Sequence, residues 1–140
     1  MIDDDYRPAV KVKRGCSGLG LFAEEVIPRG QLIIEYVGDR IDDAEAERRC
    51  GRYLFEVTDD LYIDGKARSN LARYVNHACR PNADSEHDES DDRIYFRAKK
   101  KIPVGAEITI DYGEDYLERI IGGVENCRCE TCTTRRSPSK

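Results

Sequence analysis

Residues 73–82 read Arg-Tyr-Val-Asn-His-Ala-Cys-Arg-Pro-Asn, which places the amide of Asn76, the imidazole of His77 and the thiol of Cys79 within four consecutive positions. Alone, the segment reads as an ordinary loop, because asparagines suit turns and Pro81 stops whatever precedes it. Two later stretches answer it. Cys127-x-Cys129-x-x-Cys132 offers three thiols near the C-terminus, and a thiolate zinc site closes with four tetrahedral ligands. Cys79 can be the fourth, and a metal held that way contributes folding energy directly to a polar segment with few other means of ordering. A redox-active or merely exposed thiol cluster is the alternative.

Asp111-Tyr112-Gly113 follows the alternating run 107–110, so a tyrosine hydroxyl is presented where strand gives way to loop. Tyr36-Val37-Gly38 repeats the pattern at another strand end. Most such tyrosines are structural, half-buried with the hydroxyl satisfied at the surface. Beside a glycine-lined pocket, however, two of them form a polar, aromatic-walled hole suited to a cation. Gly15-Cys16-Ser17-Gly18-Leu19-Gly20 is rich enough in glycine to let backbone approach a ligand closely, although it lacks the spacing of a dinucleotide-binding turn and, alone, reads as a tight hairpin.

The elements that position these groups belong to one domain of 140 residues with 36% charged residues, which predicts a thin core wrapped in polar loops. The net charge of -5, with acidic runs at 3–5, 42–43 and 84–92, argues against nucleic acid as a direct partner and favours a cationic substrate. The absence of a signal-peptide core and of an apolar run near the ~20 residues a span needs predicts an intracellular protein with no membrane partner. In a reducing compartment six cysteines rarely make three disulfides; Cys16 and Cys50 stand apart and read as incidental thiols.

Strands are predicted at 10–13, 21–26, 32–37, 53–57, 61–64, 93–98 and 107–112, rich in β-branched and aromatic residues. Similar Pro-x-Gly turns sit at Pro28 to Gly30 and Pro103 to Gly105. A short helix is predicted over 42–50, with Asp42 as N-cap and Glu45 as its capping-box partner. Ser69 is expected to cap one helical turn leading to Asn76, 84–92 to be a solvated loop holding an exposed His87, and 116–121 to be helical. Many short strands with few helices predict a β-rich α+β domain rather than a doubly wound parallel sheet.

Taken in order, Gly18-Leu19-Gly20, Glu35-Tyr36-Val37-Gly38, the 73–82 stretch, the run 107–113 and the final cysteines resemble the motifs of SET-domain protein lysine methyltransferases. The resemblance covers roughly residues 9–133 and implies small curved β-sheets with a knot-like C-terminal crossing. It also implies S-adenosylmethionine on one side of a narrow channel and a substrate lysine on the other, with a histone as the best-known kind of target. By matching position, Gly18, Leu19 and Gly20 would hold the methionine part of the cofactor, and Asn76 and His77 its amino and adenine groups. Tyr112 would be the catalytic tyrosine, with Tyr36 lining the lysine channel. Cys79, Cys127, Cys129 and Cys132 would hold a structural zinc ion in a post-SET segment. The implied organisation is a flexible arm at 1–8, the SET domain at 9–115, the zinc segment at 116–133 and a disordered tail at 134–140. The setting would be cytoplasmic in a bacterium or nuclear, on chromatin, in a eukaryote. Ile110 departs from the family, which usually carries Phe or Tyr there. A non-catalytic peptide- or cofactor-binding module of the same fold is the alternative.

Overall fold

In the computed structural model, residues 2–15, 18–49 and 51–113 are described. Two strands, β1 (Val10–Gly15) and β2 (Gly18–Ala23), form an antiparallel hairpin whose register closes on Gly15 opposite Gly18. β2 therefore starts in the glycine stretch, earlier than the apolar pattern predicts, because Gly18 takes a φ of +99° that glycine alone adopts without strain. A three-stranded sheet follows, in the order β3 (Leu32–Tyr36), β9 (Arg93–Ala98), β8 (Ala83–Asp88). Another joins β4 (Asp39–Ile41), β6 (Leu61–Asp64) and β5 (Leu54–Thr58). Finally β7 (Asn76–His77) runs parallel to β10 (Thr109–Ile110), which carries residue 76 beside residue 109.

Of the acidic stretch expected as a loop, 89–92 form the turn into β9, and the first half is instead the edge strand β8. Its register sets Asp84 opposite Arg97, and the Arg97 guanidinium binds the Glu86 carboxylate at 2.9 Å, so a basic neighbour offsets the acidic outer face. His87 is half-buried in that strand and lies 2.8 Å from Asp92. β4 carried no recognisable pattern in its three residues.

The helix α1 (Asp43–Arg49) starts where the cap predicts: the Glu45 N–H donates to Asp42 Oδ1 at 2.9 Å. The Glu45 carboxylate, however, turns to Arg48 and Arg49 rather than back to the cap. Arg49 also reaches the buried Asp64 at 3.0 Å, tying the helix to β6. The turn before β7 is a 3-10 helix over Leu71–Tyr74, and its N-cap is Asn70, not Ser69. Asn70 is buried and bonds outward, accepting from the Val37 N–H and donating to the Gly65 carbonyl. A polar side chain in a core is retained when it satisfies backbone groups in this way.

The core joins these small sheets through Leu21, Ile33, Tyr36, Ile63, Val75, Phe96, Ile108 and Ile110. The two Pro-x-Gly turns meet across it, since Ile27 and Ile102 exchange backbone hydrogen bonds of 2.9 and 2.8 Å. In each turn a glycine at positive φ follows, Gly30 at +87° and Gly105 at +85°. The acidic arm, expected to be loose, lies against this body. Gln31 binds the carbonyls of Asp3 and Tyr6, Arg97 binds Asp4, and Glu25 accepts from both Tyr6 and Ala9. No helix among the described residues is long and apolar enough to cross a membrane.

Candidate active site

The end of β3 delivers Tyr36 into the interior, where it is buried against Phe55 and Phe96 at ring-centre distances of 5.2 and 6.0 Å. Its hydroxyl donates to the Tyr53 carbonyl at 2.6 Å. Just past β10, Tyr112 donates its hydroxyl to the Val75 carbonyl at 2.7 Å. Both phenols line one cleft of about 330 Å³, together with Leu19, Tyr53, Arg73 and Asn76. A phenol whose proton is committed to a carbonyl turns oxygen lone pairs toward whatever else approaches it. Two such oxygens beside an aromatic wall suit a cationic or methyl-bearing centre.

The β7 strand, which follows Val75 directly, adds Asn76 to the cleft wall. The Asn76 amide donates to the Leu19 carbonyl at 3.0 Å and to the Glu107 carboxylate at 2.7 Å, which staples β7 to the glycine strand. Among the described residues nothing lies within 4 Å of where a Cβ on Gly18 would stand, and its neighbour Leu19 is half-exposed. With no side chain at Gly18, backbone here can approach a neighbouring group closely.

His77 is not among the described residues that line the cleft. Its side chain is buried behind Tyr112, whose backbone N–H donates to Nδ1 at 3.1 Å. Burial pushes the imidazole below its ordinary value, while the Asp111 carboxylate 3.6 Å from Nδ1 pulls the other way. With Nδ1 accepting, the proton of the neutral ring resides on Nε2, which faces the Cys79 sulfur at 3.5 Å. A donor aimed at sulfur stabilises a thiolate, so the surroundings of Cys79 fit a metal ligand. Cys127, Cys129 and Cys132 lie outside the described residues, and among the described residues no cluster of three metal-ligating side chains forms.

Of the residues singled out in the sequence, Leu19, Tyr36, Asn76 and Tyr112 thus come to one cleft, Gly18 and Gly20 flank it in β2, and His77 and Cys79 pair behind it. Sequence reasoning passed over Tyr53 and Arg73. The Arg73 guanidinium lies 4.3 Å over the Tyr53 ring and 5.1 Å from the Tyr74 ring, forming one wall of the cleft. A Gly-Arg-Tyr run just before a strand was the available signal for Tyr53, but it gains meaning only when Tyr36 of one sheet reaches the Tyr53 carbonyl at the edge of another.

Small curved sheets around a tyrosine-lined cleft are the arrangement of a SET domain. The family model of that description matches residues 18–113, and the chain belongs to this family. Among curated relatives, it is 36% identical over 138 residues to histone-lysine N-methyltransferase ASHH3 of Arabidopsis thaliana. It is 37% identical over 134 residues to histone-lysine N-methyltransferase Set2 of Drosophila melanogaster. Each alignment takes in 88% of this chain, which spans only 37% of the first relative and 6% of the second. Among solved structures, it resembles a crystal structure of Chaetomium thermophilum polycomb repressive complex 2, with a TM-score of 0.70 at 32% identity. That match covers 79% of this chain and 16% of the other.

Proposed function

We propose that this chain is the catalytic domain of an S-adenosylmethionine-dependent protein-lysine N-methyltransferase acting on a basic segment of a histone. The observation that carries the reading is the pair of phenols, Tyr36 and Tyr112, fixed by backbone carbonyls on the cleft that also presents Leu19 and Asn76. The names of the relatives support the same activity. Gly18, Leu19, Gly20, Asn76 and His77 would hold the co-substrate, which supplies an electrophilic methyl group on a sulfonium.

Lysine in water has a pKa near 10.4, and the attacking amine has to be neutral. A cleft walled by Tyr36, Tyr53 and Tyr112 desolvates the ammonium and favours its neutral form. The fixed phenol oxygens then orient the amine, so the protein contributes positioning and electrostatics rather than covalent chemistry. The acidic surface would draw in a basic segment, an attraction that salt screens. Cys79 with Cys127, Cys129 and Cys132 would hold a structural zinc ion, and a nuclear setting would follow from a histone substrate.

The test is transfer of labelled methyl from S-adenosylmethionine to a panel of core histones and other basic proteins, with mass spectrometry counting methyl groups per lysine. Labelling of a histone lysine is expected. Measurable cofactor binding without labelling of any protein would favour a non-catalytic module, and an absence of cofactor binding would remove the assignment.

A further inference from the structure

Glu107 does not line the cleft, yet its carboxylate reaches Asn76, which does. Glu107 is anchored from both sides: its backbone bridges Phe22 of β2, and its carbonyl accepts from the Asn82 amide at 2.8 Å. The carboxylate then lies across the glycine hairpin. A Cβ on Gly20 would overlap it, and one on Gly15 would come within 3.5 Å. Glycine at position 20 makes room for the acid, whereas at position 15 the tighter neighbour is the Phe22 ring at 3.0 Å.

From there Oε2 accepts from Asn76 Nδ2 at 2.7 Å, and the same Nδ2 donates to the Leu19 carbonyl at 3.0 Å. A carboxylate and a carbonyl only accept, so only the NH2 end of the amide satisfies them. A flipped amide would set its oxygen against a carboxylate and a carbonyl and lose two hydrogen bonds. The orientation of Asn76 is therefore determined by chemistry, and among the described residues no group donates to its Oδ1.

We propose that Glu107 is a positioning residue: it locks the Asn76 carboxamide so that Oδ1 is presented as the acceptor for the ammonium of the co-substrate's amino-acid end. This rests on the co-substrate reading given above. Glu107 acts through Asn76, so its influence is confined to ligands that carry the ammonium group.

The test compares the dissociation constants of S-adenosylhomocysteine, which keeps the amino-acid end, and 5′-methylthioadenosine, which lacks it, by calorimetry on the full chain. Glu107→Ala is expected to weaken S-adenosylhomocysteine roughly tenfold to a hundredfold, the range for a hydrogen bond to a charged group, and methylthioadenosine less than about twofold. Glu107→Asp, one methylene too short to reach Asn76, is expected to show the same selective loss and serves if the alanine variant does not fold. Glu107→Gln keeps an acceptor oxygen and is expected to restore most of the affinity. Equal weakening of both ligands, or no weakening of either, in folded Ala and Asp variants would overturn the role of Glu107 alone. Wild-type protein that binds neither ligand would overturn the co-substrate reading itself.

Discussion

The Tyr112 hydroxyl donates a 2.7 Å hydrogen bond to the Val75 carbonyl, and the Tyr112 backbone N–H donates to His77 Nδ1, so this one residue is fixed at both ends to the segment that carries Asn76. Tyr112→Phe keeps the ring and the backbone contact and removes only the oxygen. Methyl transfer is expected to fall at least about a hundredfold, within the range for loss of a positioned polar group, with S-adenosylhomocysteine affinity within about threefold of wild type. Single-turnover transfer and calorimetry check this. Unchanged turnover would remove Tyr112 from the mechanism.

Gly38 follows the Tyr36-Val37 pair, and a Cβ there would overlap the Asp64 carbonyl and lie 3.1 Å from the Gly65 Cα. Those are backbone atoms of β6 and its exit, which cannot swing aside as a side-chain tip would. Gly38→Ala is expected to cost about 2 kcal/mol or more. Gly51→Ala, where the nearest neighbour for a Cβ among the described residues is the Leu54 side chain at 3.9 Å, is expected to stay within about 0.5 kcal/mol. Urea unfolding of the two variants side by side decides it.

The N-terminal arm is held by two carboxylates whose protonation should release it. The Arg97 hydrogen bond holds Asp4 below its ordinary value, and the Tyr6 hydroxyl, then the Ala9 N–H, hold Glu25 below its own. Because both values are depressed in the folded state, the contribution of these contacts is present above the ordinary carboxylate range of about pH 4. It is lost as pH falls through the lower folded values. Carboxyl-carbon NMR titration should show both midpoints below the usual ones. Arg97→Gln should raise the Asp4 midpoint toward that of a free carboxyl, with the Arg7 charge still holding it down in part, and leave that of Glu25 in place.

Zinc analysis tests Cys79 directly. One zinc ion per chain is expected, and stripping it with a strong chelator should lower the melting temperature by at least about 5 °C, because metal-binding energy is folding energy. Cys79→Ser should reduce zinc retention, whereas Cys50→Ser should not. Full zinc retention by the Cys79 variant would remove it from the ligand set.

Patterns that act locally were legible in the chain. The hairpin strand β1, the Asp42 cap, the two Pro-x-Gly turns and the strand-end tyrosines depend on propensities and dihedral preferences that a few neighbouring residues settle. The family motifs were legible for the same reason, as short strings of residue types in order. What the chain alone left open was decided by pairing at long range. The acidic run 84–92 looked like a solvated loop because its charges repel; 89–92 are such a turn, but 84–88 joined a strand with Arg97 opposite. Ser69 looked like the cap, but Asn70 was drawn into the core by Val37 and Gly65. The orientation of Asn76 likewise depends on Leu19, 57 residues before it, and Glu107, 31 residues after it. Hydrogen-bond direction at such a site is set by which acceptors folding brings within 3 Å, and sequence spacing carries no record of that distance.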